Sequence, residues 1–451
     1  MTPTTTTTPP AAGTKPTELR RELGTRDLVL IVIGCVIGSG IFIVPSTVLK
    51  QSGGDVGPML LVWVLGGVLS LLGALTYGEL GAMSPEAGGM YVWVRDAFGR
   101  FPAFLLGWTF FFCIGSGAVA TLSVAFAAYC TRLVPLGPVA QKAVALLMIA
   151  VIAAVNVRGT RQSAGVQNVS TAVKVGALVL MSVLLLALGA GLSQTAGHVW
   201  PARFTPGLLS GLGAGMIGVL WAYEGWQYAT FSAGEVKDPG KTLPPSIGVG
   251  TLAVVLLYLL ANVAYLGALS PEVVMASNAV AADAVGTVLG GGAAKLVAAA
   301  VMVSIFSAAN GVTLTAPRAA FRMAQDGLFF RGLGEVHPRF LTPARAIIAS
   351  AVWAALLAAT GTFERLLTYV VFTGWIFYAL AAASLLVLRR TRPDAPRPFR
   401  VPGYPWTPIL FVVAAAAIVL NTLLTQPLSA AIGLAIVFVG APFYWVWSRR
   451  A

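Results

Sequence analysis

A lone carboxylate interrupts an otherwise apolar run. Glu224 sits in LWAYEGWQY at 220–228, beside Gly225 and among Trp221, Tyr223 and Trp226. The apolar residues around it place the acid at membrane depth. An acidic residue there costs about 2.5–3.5 kcal/mol on insertion scales, so it faces a cavity or a partner. The adjacent glycine lets a helix open, and an opened helix is tolerated at that depth only where it lines a cavity. A matching interruption, Gly38-Ser39-Gly40, lies inside DLVLIVIGCVIGSGIFIVPSTVLK, with Pro45 about one turn later. Glycines alone could serve close helix packing. Two of them bracketing a serine, followed by a proline, argue for unwinding. A third polar group, Lys174, lies roughly eleven residues into the fifth apolar segment. That is about 16 Å at 1.5 Å per residue, too deep for easy snorkelling.

Two broken helices offer a defined chemistry. The half-helix that begins after Gly40 presents N–H donors and the positive end of a dipole, which suit a carboxylate. The half-helix that ends near Val36 presents carbonyls, which suit an ammonium. The second break adds carbonyls at Trp221, Ala222 and Glu224. Ser39 can donate its hydroxyl to the carboxylate. A carboxylate and an ammonium this close together describe an α-amino acid. Lys174 has two readings: an ion pair with Glu224, or an internal cation filling a site between helices.

The elements that position these groups are membrane helices. The chain has 451 residues, 57% hydrophobic and 10% charged, against about 25% charged in soluble proteins. Apolar runs of about 20 residues recur from Leu28 to Trp447, too long for barrel strands. Twelve spans are expected, at 27–50, 57–83, 102–131, 139–156, 163–192, 209–236, 243–268, 294–324, 344–361, 364–388, 407–424 and 428–448. With the amino terminus inside, cytoplasmic segments hold 22 of the 29 Lys and Arg residues and outer segments six. That asymmetry puts both termini in the cytoplasm. It also explains the net charge of +13 without nucleic acid. The Thr/Pro-rich start, 1–18, reads as a disordered cytoplasmic tail rather than a signal peptide. Gly-broken helices in corresponding positions of two halves point to a secondary transporter with inverted repeats. Five spans, five inverted spans and two more follow from that, as a transport core over 19–400 and an addition over 401–451.

Other segments are less telling. Glu79 reads as a helix-end contact near the cytoplasmic side. Met90 to Phe98 reads as a short surface or re-entrant helix, with Tyr91, Trp93 and Phe98 as interfacial aromatics. Ser270 to Gly292 reads as an outer loop with a short helix. Ser304, Ser307 and Asn310 share one helical face, which usually bonds a neighbouring helix and less often lines a pathway. Ser307 and Trp375 are further pocket candidates. Cys35, Cys113 and Cys130 lie in apolar segments and form neither a disulfide framework nor a metal set. His198 and His337 lie in loops, and no paired carboxylates share one depth, so an enzyme is not indicated. Nothing resembles a phosphate-binding loop, so ATP-driven transport is not indicated. No cofactor is called for.

At this point the residues resemble a family. IGSGIF at 37–42, YGELGAMSPEAGGMYVW at 77–93, LWAYEGWQYATFSAGEVKDPGKTLP at 220–244, SAANGVTLTAPR at 307–318 and RPFRVPGYP at 397–405 carry the resemblance. It covers about Glu18 to Arg400. The chain resembles an amino acid–polyamine–organocation transporter of the L-type amino acid transporter branch. That resemblance implies an all-α membrane protein of the leucine-transporter type, with the first and sixth helices unwound. It implies that Val36, Ile37, Gly38, Ser39, Gly40, Ile41, Trp221, Ala222 and Glu224 hold the substrate's head group. Trp221 would close over the substrate from outside. Lys174 matches a lysine standing where related sodium-coupled transporters bind sodium, which implies sodium-independent transport and weakens the pairing with Glu224.

Two departures matter. Animal members of this branch carry a cysteine after the third span that links to a glycoprotein partner. Here that loop is RLVPLGPVAQK, so no disulfide-linked accessory chain is expected. Glu224 stands where many L-type members have a small uncharged residue. The branch exchanging dibasic amino acids resembles this sequence more closely there. The expectation is a sodium-independent exchanger of L-amino acids in the plasma (inner) membrane, with cationic and some neutral substrates. The alternatives are a proton-coupled amino acid or polyamine symporter and, from another class, a membrane sensor of amino acids. A sensor would carry a soluble output domain, and only short loops and tails are expected here.

Overall fold

The computed structural model describes residues 19–195, 197 and 199–449. The segment 1–18 and His198 lie outside them. The first apolar segment is two helices, α1 (Thr25–Val36) and α2 (Gly40–Gln51), bent by 44° at the break. α3 (Val56–Met83) and a short α4 (Met90–Phe98) follow. α5 (Arg100–Thr109) and α6 (Ser116–Cys130) form one span, joined by a π-helical turn over Phe110–Gly115. α7 (Pro138–Val157) and α8 (Thr160–Leu188) come next. α9 (Pro206–Ala222) stops at the second break. The chain then turns and continues as a 3-10 helix, Tyr228–Glu235.

α10 (Pro239–Ala268) leads into a loop carrying two short helices, α11 (Pro271–Ala276) and α12 (Val280–Leu289), where one was expected. α13 (Gly291–Thr315) runs into α14 (Pro317–Gln325). α15 (Ala344–Thr360), α16 (Phe363–Thr391), α17 (Trp406–Thr425) and α18 (Pro427–Ser448) complete the bundle. Among the described residues, nine helical segments are long and apolar enough to cross a bilayer, and the bent α1–α2 pair makes ten. α9 and α15 stand at the other two expected places, but each has 17 residues. A full crossing takes about 20. On length alone, the expected twelve are therefore not reached.

The two breaks touch, and glycine makes the contact possible. A Cβ on Gly40 would fall 2.5 Å from the Ala222 Cα. A Cβ on Gly225 would fall 2.7 Å from the Cys35 carbonyl carbon and the Val36 nitrogen. Gly225 also has φ +136°, a backbone state costly for any other residue.

The cytoplasm-assigned end is tied by polar contacts. Leu23 and Val236 form an isolated parallel bridge, with Lys237 N donating to Leu23 O at 2.9 Å. Glu79 is buried and accepts from Arg389 at 2.8 and 2.6 Å and from Val401 N at 2.6 Å. It is a structural contact, as expected. α4 differs from expectation. Tyr91 and Trp93 are fully buried instead of lying at a lipid interface. Trp93 meets the Tyr77 ring edge-on at 5.2 Å, and the Tyr91 hydroxyl donates to Asp326 at 2.9 Å. Protein partners anchor this helix, and only Phe98 at its end is exposed.

Gly225→Ala should lower stability by about 1–3 kcal/mol, because the new methyl meets backbone and the φ is unfavourable. Gly176, on the open side of α8, has nothing within 4 Å of a built Cβ. Gly176→Ala should be neutral or slightly stabilising. Thermal unfolding in detergent distinguishes the pair.

Candidate functional site

A cavity with about 300 Å³ of empty space lies where the breaks meet. The first break lines it with Cys35, Val36, Gly38, Ser39 and Gly40, and the second with Trp221, Glu224 and Tyr228. Ala118 and Leu122 of α6 and Val312 of α13 complete the wall. α2 starts at Gly40, and Phe42 N–H turns back to Ser39 O at 3.2 Å, so the Gly40 and Ile41 N–H groups are the ones the helix itself leaves without an acceptor. The Ser39 and Tyr228 hydroxyls are buried and have no hydrogen-bond partner. An unsatisfied buried hydroxyl costs about 1–3 kcal/mol. Two of them on one cavity mark the place where a polar ligand would restore the bonds.

Carbonyls at the breaks are partly engaged. The Tyr258 hydroxyl of α10 lies 3.0 Å from both Val36 O and Ala222 O. Its single proton serves one carbonyl at a time, so it bridges the two breaks. Gly38 N–H donates to Val36 O at 2.8 Å, and Glu224 N–H to Trp221 O at 3.1 Å. Val36 O keeps a lone pair for a ligand when the Tyr258 proton turns to Ala222 O.

Glu224 is 9% exposed. Its Oε1 accepts from Gln227 Nε2 at 2.5 Å and from the Tyr378 hydroxyl. Gln227 in turn accepts from Gly225 N–H at 3.2 Å, which fixes the opened turn. Oε2 accepts no hydrogen bond from the described residues. Neutral donors alone hold this carboxylate, and no Lys or Arg pairs with it among the described residues.

Lys174 is buried elsewhere. Its ammonium donates to Gly34 O and Ile37 O, both at 2.6 Å, and to Ser304 O at 3.4 Å. It therefore caps the broken end of α1. The reading of Lys174 as the ion-pair partner of Glu224 is corrected: backbone carbonyls took the ammonium instead. Ser304 Oγ also donates to Ile37 O at 3.0 Å.

Other candidates stand behind the cavity. The Ile37 carbonyl is occupied by Lys174 and Ser304, and the Ile37 and Ile41 side chains are fully buried off the cavity wall. Ala222 forms the contact with Gly40. Ser307 is buried without a partner but does not line the cavity. Trp375 packs on Tyr378 at 5.9 Å and Phe411 at 5.6 Å, one ring removed from Glu224. Sequence reasoning missed Tyr228, Gln227, Tyr258 and Tyr378. Gln227 and Tyr228 stand three and four residues past Glu224, a spacing that could have marked them.

Residues 23–444 match the amino acid permease family. The chain belongs to that family. It is a transporter of the amino acid–polyamine–organocation superfamily rather than an enzyme, and its fold is the leucine-transporter type. It is 31% identical to the serine/threonine exchanger SteT of Bacillus subtilis, over 96% of this chain and 98% of that protein. It is 32% identical to the mouse b(0,+)-type amino acid transporter 1, over 92% of this chain and 85% of the relative. The human cystine/glutamate transporter is 32% identical over 97% of this chain and 88% of its own length.

Ser39→Ala and Tyr228→Phe in this permease should leave the unfolding temperature unchanged or higher, since each removes an unsatisfied hydroxyl. Each should raise the half-saturation concentration for the transported amino acid about tenfold. Initial-rate uptake into proteoliposomes, beside a melting curve, tests both.

Proposed function

We propose that the chain is a sodium-independent exchanger of L-amino acids, accepting cationic and some neutral ones. It works in the plasma (inner) membrane with both termini cytoplasmic. The observation that carries the reading is Glu224. A cavity carboxylate, held by neutral donors on one oxygen, is set to meet a positive side chain with the other. A buried carboxylate is costly alone and is offset by a cationic partner. The substrate carboxylate would take the N–H groups at the start of α2 and the Ser39 hydroxyl. Its ammonium would lie at the Val36 and Trp221 carbonyls. Trp221 would act as the outer gate. The relatives' names cover serine/threonine, cystine/glutamate and b(0,+)-type transport at 31–32% identity. Overall likeness therefore does not select a substrate, and the cavity residues must.

Lys174 supports the sodium-independent part. A fixed ammonium on three carbonyls leaves no room for a metal cation among them. No disulfide-linked partner is proposed, since Cys35 and Cys113 are buried and Cys130 is half-buried. A second reading, proton-coupled symport, draws on the same acid, because a buried carboxylate without a cationic partner is the group such coupling needs.

The test uses proteoliposomes loaded with lysine, leucine or nothing. Labelled arginine and leucine uptake should require internal amino acid and should not change when sodium is replaced by choline. Glu224→Gln should cut arginine uptake about tenfold or more and leave leucine uptake within about twofold. Equal loss of both, or loss of neither, contradicts the cationic assignment. Uptake into empty vesicles driven by a pH gradient favours symport.

A further inference from the structure

A second, wider cavity opens on the face where α2 and α6 end. It encloses about 870 Å³ including its mouth. Ile43 and Val124 line it. Ile43 is three residues past Gly40 on α2, and Val124 is two past Leu122 on α6. This vestibule therefore lies about one helical turn, roughly 5 Å, from the central cavity.

Its polar lining is built for an anion. Tyr129 is 5% exposed, lines the cavity and has a hydroxyl without a hydrogen-bond partner. Arg132 lines the same cavity, is exposed and makes no ion pair among the described residues. Arg132 N–H donates to Tyr129 O at 3.0 Å, so both side chains leave one turn of chain. Asn278, between α11 and α12, adds an exposed amide to the lining. The nearby Asp283 accepts from Ser277 at 2.5 Å and forms no ion pair with Arg132 among the described residues.

We propose that this vestibule is a loading site that binds the α-carboxylate of an incoming amino acid before it passes the breaks. The inference rests on the exchanger reading above. Arg132 supplies a planar donor pair matched to a carboxylate. The Tyr129 hydroxyl supplies a donor that folding has already desolvated. A group common to all amino acids is recognised here, while Glu224 reads the side chain deeper in.

The experiment measures initial rates against external labelled leucine in leucine-loaded proteoliposomes of the full chain. Arg132→Gln and Tyr129→Phe should raise the half-saturation concentration about five- to tenfold, with the maximal rate within about twofold. Arg132→Lys should recover most of the affinity. Lys142→Gln, a second exposed cation expected on the same face, should behave as wild type. Inhibition by 3-methylbutylamine, which lacks the carboxylate, should be the same in wild type and Arg132→Gln. An unchanged half-saturation in Arg132→Gln, with wild-type exchange intact, overturns the loading site and leaves the exchanger reading standing. An equal shift in Lys142→Gln also overturns it, because the effect is then one of surface charge. Absence of exchange in the wild type overturns the function and the loading site together.

Discussion

An ammonium seated on the end of a broken helix is the contact on which the rest depends. α1 stops in the middle of the protein, where no water can satisfy its last carbonyls. Lys174 fills that place, with two carbonyls at 2.6 Å and the negative end of the helix dipole. Burying the charge is costly, and the carbonyls and dipole offset it. The break can then persist, and α2 begins with the Gly40 and Ile41 N–H groups left without an intrahelical acceptor. Gly40 can press against Ala222, and Gly225 against Cys35 and Val36. Tyr258 spans the joint. The cavity is what remains between two interrupted helices that are each held from behind.

The two buried charges are kept apart. Lys174 spends its donors on backbone and stays behind the first break. Glu224 is oriented by Gln227 and Tyr378 and faces the cavity. Had they paired, the cavity would hold a neutralised site with nothing left to read a charged side chain. The separation gives the cation a support role and leaves the acid facing the cavity, where the proposed side-chain recognition would use it.

Much of this was legible because polar residues and glycines are rare signals in apolar helices. The Gly38-Ser39-Gly40 break, the opening at Gly225, the depth of Lys174 and most helix boundaries could be read directly. The partners could not. Whether Lys174 meets Glu224 or a helix end depends on how α8 is rotated, and its neighbours in sequence are uninformative. Ala118, Leu122 and Val312 reach the cavity only through helix rotation, as ordinary apolar residues. Tyr378 and Tyr258 are distant in sequence, and aromatic residues are common throughout these helices. The inner half of the sixth segment also escaped, because its 3-10 winding over Tyr228–Glu235 depends on packing. α4 looked interfacial because its aromatics match a membrane belt, yet Tyr77 and Asp326 bury two of them.

A cryo-electron microscopy map of the protein in lipid nanodiscs with saturating arginine tests the central claim most directly. The account predicts ligand density between the two breaks. The arginine carboxylate should lie at Ser39 and the start of α2, its α-ammonium at Val36 and Trp221, and its guanidinium toward Glu224 Oε2, with Lys174 unmoved. Arginine bound with its carboxylate on Lys174, or bound away from both breaks, would contradict it.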